Sequence, residues 1–409
     1  MPTRDCALTP AVLATARLSG GVLVIAAPAS AAVSPHTVIA GLPLVRRLAL
    51  AARRAGYARV LVHDPRVDAV HLPPGAAPLA RDSTDLASPA NGPRASSGRR
   101  VVVLPTNVVP QARWLGSLLQ APLDTGQIWV DGSGAMAVES DDPERVLAVV
   151  GRCATADDMR ARLSAMFDPV VPALDPTGRF PLAGSEDVPR ANRWLFRGLI
   201  KQSEGFMSRH VERPISLAIT RLLLGTRITP NVMTLVSLSI GLGSATFFLS
   251  SDATWQLTGA LLFLTHSILD GCDGELARLT FQETKTGAML DFWGDNIVHV
   301  AVFGCMAVGW SLERQSAWPL VAGGVACAST LGVASLLSGK TMRDETGAAD
   351  PTLAGRLVEA LGHRDFIYLV IVLAAFGKAA WFLTATAVGT PIFLGLVLLV
   401  RSRRAATRA

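Results

Sequence analysis

The chain is expected to fold in two parts, an α/β domain followed by an all-α membrane domain of six transmembrane helices. Three observations point that way. Half of the 409 residues are hydrophobic, but the charge is uneven: residues 1–200 are rich in Arg and Asp, and the remainder is cut into apolar runs long enough to cross a bilayer. The first part alternates short apolar runs with stretches of helical periodicity. Inside the later apolar runs sits a group of acids, Asp270, Asp273, Asp291 and Asp295, where a lone mid-helix Asp costs roughly 2.5–3.5 kcal/mol.

In order along the chain, 21–27 is a buried-strand run, 42–55 has helical periodicity ending at Gly56, and 58–63 is a second strand. Together they make a βαβ unit. Residues 72–100, opening Pro-Pro-Gly-Ala-Ala-Pro, read as a mobile insertion. Strands follow at 100–105 and 127–130, and helices within 143–166. The α/β domain is set at 1–167, with a Pro-rich linker over 168–192. Residues 193–229 read as amphipathic juxtamembrane helices. There Trp194, Leu195, Phe196, Leu199 and Ile200 alternate with Arg193, Arg197 and Lys201, a pattern suited to an anionic lipid surface.

The membrane domain is set at 230–409, with spans near 231–250, 256–278, 286–311, 318–338, 366–381 and 383–400, each close to the roughly twenty residues a bilayer needs. The 340–365 segment holds Lys340, Arg343, Arg356 and Arg364, and the tail reads Arg401-Ser402-Arg403-Arg404. By the positive-inside rule the N-terminal domain and the C-terminus lie in the cytoplasm, for an integral protein of the plasma or inner membrane. Trp255, Trp310, Trp318 and Trp381 stand near span ends. Lys340 and Arg343 suit a phosphate, or plain anchoring. Lys378 reads as snorkelling, and His299 as a helix-packing polar group. The five cysteines have no metal or redox spacing, which fits reduced thiols. Residues 21–33 are too short an apolar stretch, too far in, for an export signal. The net charge of +6 suits a membrane surface or phosphorylated ligands. No basic run is interleaved with aromatics, so no nucleic acid is expected.

The acids have a helical logic. Asp270 and Asp273 are three apart, Asp291 and Asp295 four apart, so each pair shares a helix face. Two such faces meeting gather hard oxygen ligands of the kind Mg²⁺, Mn²⁺ or Ca²⁺ prefer. Gly274 and Ala277 leave room beside the backbone, Gly287 does the same one turn before Asp291, and Arg278 supplies a fixed positive charge for a phosphate. The reading is a metal-assisted reaction at a phosphoryl centre with two cations. Three others stay open: a buried salt network around Arg278, a divalent-cation transporter using the acids, and a catalytically silent membrane anchor.

The whole spacing, D-x2-D-G-x2-A-R-x8-G-x3-D-x3-D from Asp270 to Asp295, resembles the signature of the CDP-alcohol phosphotransferases, also called CDP-alcohol phosphatidyltransferases. The resemblance implies a six-helix core over the second half of the chain. It implies transfer of a phosphorylated alcohol from a CDP-alcohol donor to a hydroxyl acceptor, with release of CMP, in phospholipid or polyol-phosphate synthesis. It also implies two divalent cations, Mg²⁺ or Mn²⁺, on Asp270, Asp273 and Asp291 with Asp295 completing the site. Asp295 would be the base, and Gly274, Ala277 and Arg278 would line the CDP pocket. Pro230-Asn231-Val232-Met233-Thr234 is similar to a Pro-Asn-x-x-Thr pattern of many members, which implies a place for Asn231 or Thr234 near the nucleotide. A homodimer is a further implication.

The first half resembles a Rossmann-like sugar-phosphate nucleotidyltransferase domain over 38–47 and 55–62, and 204–216 looks like the pre-membrane helix of the subgroup that carries such a fusion. The departures matter. Ala26-Ala-Pro-Ala-Ser-Ala-Ala-Val33 has no Gly, Arg or Lys where a phosphate loop is needed, and Leu104-Pro-Thr-Asn107 has no Asp. The domain is therefore expected to be inactive, serving as a scaffold, dimerisation surface or regulatory binder.

Overall fold

Five apolar residues make β1 (Val22–Ala26), and all five are buried, as a central strand covered on both faces requires. In the computed structural model, which describes residues 20–30, 32–68, 72–79, 99–171, 174–200, 205–341 and 365–406, β1 runs parallel to two neighbours, β4 (Arg59–His63) and β6 (Arg100–Pro105). The sheet extends beyond β4 through β5 (Ala76–Pro78). Beyond β6 it extends through β9 (Met136–Glu139), β8 (Gln127–Val130) and β10 (Asp168–Val170), in the order β10-β8-β9-β6-β1-β4-β5. Among the described residues the sheet is accompanied by α1 (Leu44–Ala55), α2 (Ala112–Leu119), α3 (Pro143–Gly151) and α4 (Ala156–Ser164). Gly56, at φ 98°, closes α1, and a reciprocal Thr155–Asp158 capping box opens α4.

A small hairpin precedes α1, formed by β2 (Val38–Ile39) and β3 (Leu42–Pro43). Its two turn residues, Ala40 and Gly41, both have positive φ, 45° and 80°, as such tight turns demand. Ala40 is an unusual occupant. Buried Arg47 holds the turn, donating to the carbonyls of Ile39 at 3.0 Å and Ala40 at 2.9 Å, while the Asn192 side chain accepts from the Ala40 amide at 2.8 Å.

Two segments expected to be loops contribute strands. Within the 72–100 insertion, residues 76–78 form β5 on the sheet edge, where parallel pairing to β4 satisfies their backbone; residues 80–98 lie outside the described residues. The expected 168–192 linker instead supplies β10, parallel to β8, and β11 (Arg179–Pro181), antiparallel to β7 (Val108–Pro110). Its last residues begin α5 (Val188–Arg197). Trp194 of α5 packs against Phe180 with the rings tilted by 44° and centroids 5.9 Å apart, and Phe196 is buried. Leu195, Leu199 and Ile200 of the same stretch are half-buried; Lys201 lies outside the described residues.

The C-terminal ends of β1, β4 and β6, where open α/β sheets bind ligands, are closed by their own side chains. Thr106 donates to the Ala26 carbonyl at 2.8 Å and to Asp64 at 2.9 Å. Arg66 grips both Asp64 oxygens, at 2.9 and 2.7 Å, and reaches the Val33 carbonyl at 2.9 Å. Burial alone would raise the Asp64 carboxyl, but the hydrogen bonds from Arg66 and Thr106 outweigh it and hold the group below its ordinary value.

The chain divides into two units, Met1–Leu195 and Phe196–Ala409, the division falling within α5. The second unit is helical. After a π-turn at Ser208–Glu212 come α6 (Arg213–Leu223), α7 (Pro230–Thr246), α8 (Ala253–Thr280), α9 (Lys285–Arg314), α10 (Trp318–Thr341), α11 (Phe366–Ala375) and α12 (Ala379–Ala406). Among the described residues four stretches, Pro230–Leu249, Lys285–Arg314, Trp318–Ser338 and Ala379–Val400, are long and apolar enough to cross a membrane. The other two expected spans differ. The 28 residues of α8 are long enough, but its C-terminal half carries Asp270, Asp273, Glu275 and Arg278. Helix α11 has only 10 residues, about 15 Å of rise against a core of roughly 30 Å. Gly377, at φ 65°, ends it before the expected boundary, with the Gly377 and Lys378 amides capping the Ala374 and Leu373 carbonyls.

Removing the Asp64 charge tests the closure. A depressed carboxyl stabilises fully above its unfolded value of about 3.9 and loses that contribution as pH falls through the lower folded value. Asp64→Asn is therefore expected to weaken amide-exchange protection in β1, β4 and β6 at pH 7 by about 1–3 kcal/mol. The gap to wild type should shrink as pH drops below about 4. Equal protection at pH 7 would contradict this account.

Candidate active site between two helices

A short connection over residues 281–284 leads from α8 into α9, and both helices pack against α7. The Asp252 side chain starts α8, accepting from the amides of Thr254 at 2.9 Å and Trp255 at 3.2 Å. Phe281, in the left-handed region at φ 57°, stops it, and the Thr284 hydroxyl starts α9 by accepting from the Gly287 amide at 2.9 Å. The acids stand on the helix halves next to this turn. Small residues let α7 lie close along both helices. A Cβ on Gly241 would come within 2.7 Å of Val298 and 2.9 Å of the His266 ring, and one on Gly259 within 2.8 Å of Phe247.

That packing brings ligand oxygens of Asp270, Asp273 and Asp291 within 4.8 Å of one another. Asp270 and Asp273 are 6% and 4% exposed, and Asp291 is half-buried. The three carboxylates, drawn from two helices, are a donor set of the hard-oxygen type that fits Mg²⁺ or Mn²⁺. Asp295 is not part of that cluster. One turn further along α9, its Oδ1 lies 3.5 Å from His266 Nε2 and 4.0 Å from His299 Nδ1.

The other expected site residues fall around this centre. Thr234 is buried and its hydroxyl donates to Asp273, so it touches a carboxylate rather than open space. Asn231 stands at the start of α7, and a Cβ on Gly287 would come within 2.9 Å of its Oδ1; the room Gly287 leaves is for α7. A Cβ on Gly274 would meet Arg278 Nη1 at 3.0 Å, so Arg278 folds back over the gap that Gly274 provides. Ala277 and Arg278 are half-buried. Lys340 belongs to α10, but its side chain and all of Arg343 lie outside the described residues. Lys378 lies over the Trp381 ring at 5.4 Å, as an interfacial side chain does. His299 packs among Phe263, Phe366 and Phe303 at 5.5, 5.6 and 6.3 Å while also touching Asp295.

Two participants escaped the sequence reading, His266 and Glu275. Glu275 is fully buried on the side of α8 that faces α6. Its Oε1 accepts from Arg213 at 2.8 Å and Ser216 at 2.6 Å, and its Oε2 from Thr220 at 2.7 Å. The signal was present in the variable position of Asp273-Gly274-Glu275, a further acid in the same helix. Its partners, however, lie 55 to 62 residues away. His266 carries a spacing signal, one helical turn before Asp270.

Residues 227–392 match the CDP-alcohol phosphatidyltransferase family. The chain is 32% identical over 158 residues to the phosphatidylinositol phosphate synthase of Corynebacterium glutamicum, covering 38% of this chain and 68% of that protein. The chain belongs to the CDP-alcohol phosphatidyltransferase family. It is also 34% identical over 164 residues to the bifunctional IPC transferase and DIPP synthase of Thermococcus kodakarensis, over 40% of this chain and 35% of that one. It thus spans about a third of the length of the bifunctional relatives it matches. Among solved structures, a Mycobacterium tuberculosis phosphatidylinositol phosphate synthase with CDP-DAG bound covers 45% of this chain and 92% of its own, at 22% identity and a TM-score of 0.34. The family match covers the acids of α8 and α9, and with them the chain is an integral membrane protein.

Breaking the α6–α8 tie should be costly. Glu275→Ala leaves Arg213, Ser216 and Thr220 without their shared acceptor, and is expected to destabilise the helical unit by about 3–5 kcal/mol. Thermal melting of the purified protein in detergent checks it; an unchanged melting temperature would show that the network is not structural.

Proposed function

We propose that this protein transfers a phosphorylated alcohol from a CDP-alcohol to a hydroxyl acceptor and releases CMP. The observation that carries this reading is the convergence of Asp270, Asp273 and Asp291 from two helices, ligand oxygens within 4.8 Å, in a chain of this family. Helices α8 and α11 join the four apolar spans as a six-helix core, with the turn between α8 and α9 on the cytoplasmic side, where a soluble nucleotide ester arrives.

Asp270, Asp273 and Asp291 would hold two divalent cations, Mg²⁺ or Mn²⁺, which supply charge neutralisation on the donor's diphosphate and on the departing CMP. Thr234 fixes the Asp273 carboxylate through its hydroxyl. Arg278, half-buried over Gly274, offers its guanidinium to a phosphate oxygen, and Ala277, Gly287 and Asn231 shape the nucleotide side. Asp295, one turn away from the clustered acids, takes the proton of the attacking hydroxyl. We assign it as the base, standing beside the three clustered acids and completing the two-cation site. The names of the relatives support a phosphorylated polyol such as inositol phosphate as acceptor. A cation-transport site would account for the acids but gives no role to Gly274, Ala277 and Arg278.

The test is CMP release by the purified full chain with Mg²⁺ or Mn²⁺, offering CDP-diacylglycerol and CDP-inositol against inositol phosphate and glycerol phosphate. Asp295→Asn is expected to keep metal-dependent CDP binding and lose turnover, whereas Asp270→Asn and Asp291→Asn lose the binding as well. Normal turnover by Asp295→Asn would remove the base assignment. Thr234→Val is expected to raise the metal concentration for half-maximal rate by roughly 10–100-fold; an unchanged metal dependence would free Thr234 of that role. No CDP protection against heat, with metal present, would leave the transport or anchor readings.

A further inference from the structure

Helix α6 is built inside out. Its polar residues Arg213, Ser216 and Thr220 turn toward α8 and share Glu275, with Leu217 buried beside them. The other side carries Pro214, Ile215, Ala218 and Leu222, all exposed, at the i, i+1, i+4, i+8 spacing of one helical face. Leu222 is 77% exposed, and Phe206, before the π-turn, is 70% exposed. A surface helix of a protein in water shows the reverse order, apolar side in and polar side out. Charge on this surface has one sign. Between Gly205 and Thr229 the sequence holds a single acid, Glu212, and it is buried. Arg221 and Arg227 are exposed, Arg221 lying over the Phe196 ring at 4.8 Å.

We propose that α6 docks on a bilayer surface of anionic phospholipid, with Ile215, Ala218 and Leu222 against the upper acyl chains and Arg221 and Arg227 on headgroup phosphates. An apolar face flanked by arginines is the combination that binds such a surface, through apolar area removed from water and attraction to the lipid charge. The chain also leads there. Residues 224–229 alone separate α6 from α7, which opens an apolar stretch long enough to cross a membrane and turns Val232, Leu235 and Val236 outward. The exposed apolar surface thus continues from α6 into a span. A second copy is a poorer occupant. Two such faces meeting on a twofold axis would bring Arg221 and Arg227 toward their own counterparts, with no exposed acid in the segment to meet them. The polar side of α6 is already satisfied by Glu275, so the helix holds its place against α8 while its apolar side rests on lipid.

The experiment uses the full chain in nanodiscs and reads amide exchange across α6 by mass spectrometry. The lipid is phosphatidylcholine alone or phosphatidylcholine mixed with phosphatidylglycerol. Each arginine at an anionic surface contributes about fivefold, so the mixed lipid is expected to slow exchange in α6 roughly 5–25-fold. Raised salt should shrink that gap. Replacing both arginines, Arg221→Gln with Arg227→Gln, should remove it and leave exchange in α9 unchanged. Leu222→Asp, which keeps both arginines, should speed α6 exchange in either lipid. Equal exchange of the wild type in the two lipids, or a lipid effect that survives loss of both arginines, would overturn the inference. So would slowing that follows the number of copies per disc and not the phosphatidylglycerol, which would give the face to a second copy. No arm reads CMP release, so the outcome stands apart from the phosphotransferase assignment above.

Discussion

The structure is organised around the difficulty of placing Asp270, Asp273, Asp291 and Asp295 in a low-dielectric helix pair. A single mid-bilayer carboxylate is unfavourable by roughly 2.5–3.5 kcal/mol, and the half-buried Arg278 cannot balance four. Two features answer this. The acids lie on the helix halves nearest the turn between α8 and α9, and they come from both helices, so that one multiply charged partner can meet three of them at once. Glycine at 241 and 259 follows from the same need: α7 must come close enough for Thr234 to reach Asp273, and a Cβ at either position would collide with Val298 or Phe247.

Helix α8 carries polar groups on two sides. His266, Asp270 and Asp273 face the site, while Ser267, Gly271 and Glu275 face the juxtamembrane segment. There Ser267 donates to Glu212 at 3.3 Å and Glu275 gathers Arg213, Ser216 and Thr220. A buried acid with three donors is satisfied and rigid, so the Glu275 tie holds α6 against α8 while the opposite face of α8 stays available for chemistry. This two-sided polarity is why α8, though 28 residues long, is not apolar enough to be taken for a membrane helix by composition. Its neighbours complete the packing: Phe263 of α8 contacts His266, His299 and Phe366, three rings from α8, α9 and α11.

In the first unit the same physics runs the other way. The strand ends that an α/β sheet offers to a ligand are filled by the Asp64–Arg66–Thr106 network and the Val33 carbonyl. Arg66 spends its guanidinium on the protein's own carboxylate, and the loop after β1 has no free Gly amides to cradle phosphate. These strand ends are thus occupied by the unit's own side chains.

Local spacing was enough to read β1, β4, β6 and β8, helix α1, and the fact that Asp270 pairs with Asp273 and Asp291 with Asp295 on common faces, because alternation and the helical repeat are properties of neighbours along the chain. The same holds for the family motif. The strands β5, β9, β10 and β11 were not legible: they are short, some contain proline, and only pairing with distant strands makes them strands. The length of α11 was misjudged because the Lys378 and Gly377 amides cap it earlier than hydropathy indicates. Sequence alone determined which residues carry the acids and on which helical face each lies. Tertiary structure decided that three acids converge while Asp295 stands apart beside His266, that Thr234 reaches Asp273, and that Glu275 binds α6. Those pairings join residues 18 to 62 positions apart, and no local periodicity specifies which face of one helix meets which face of another.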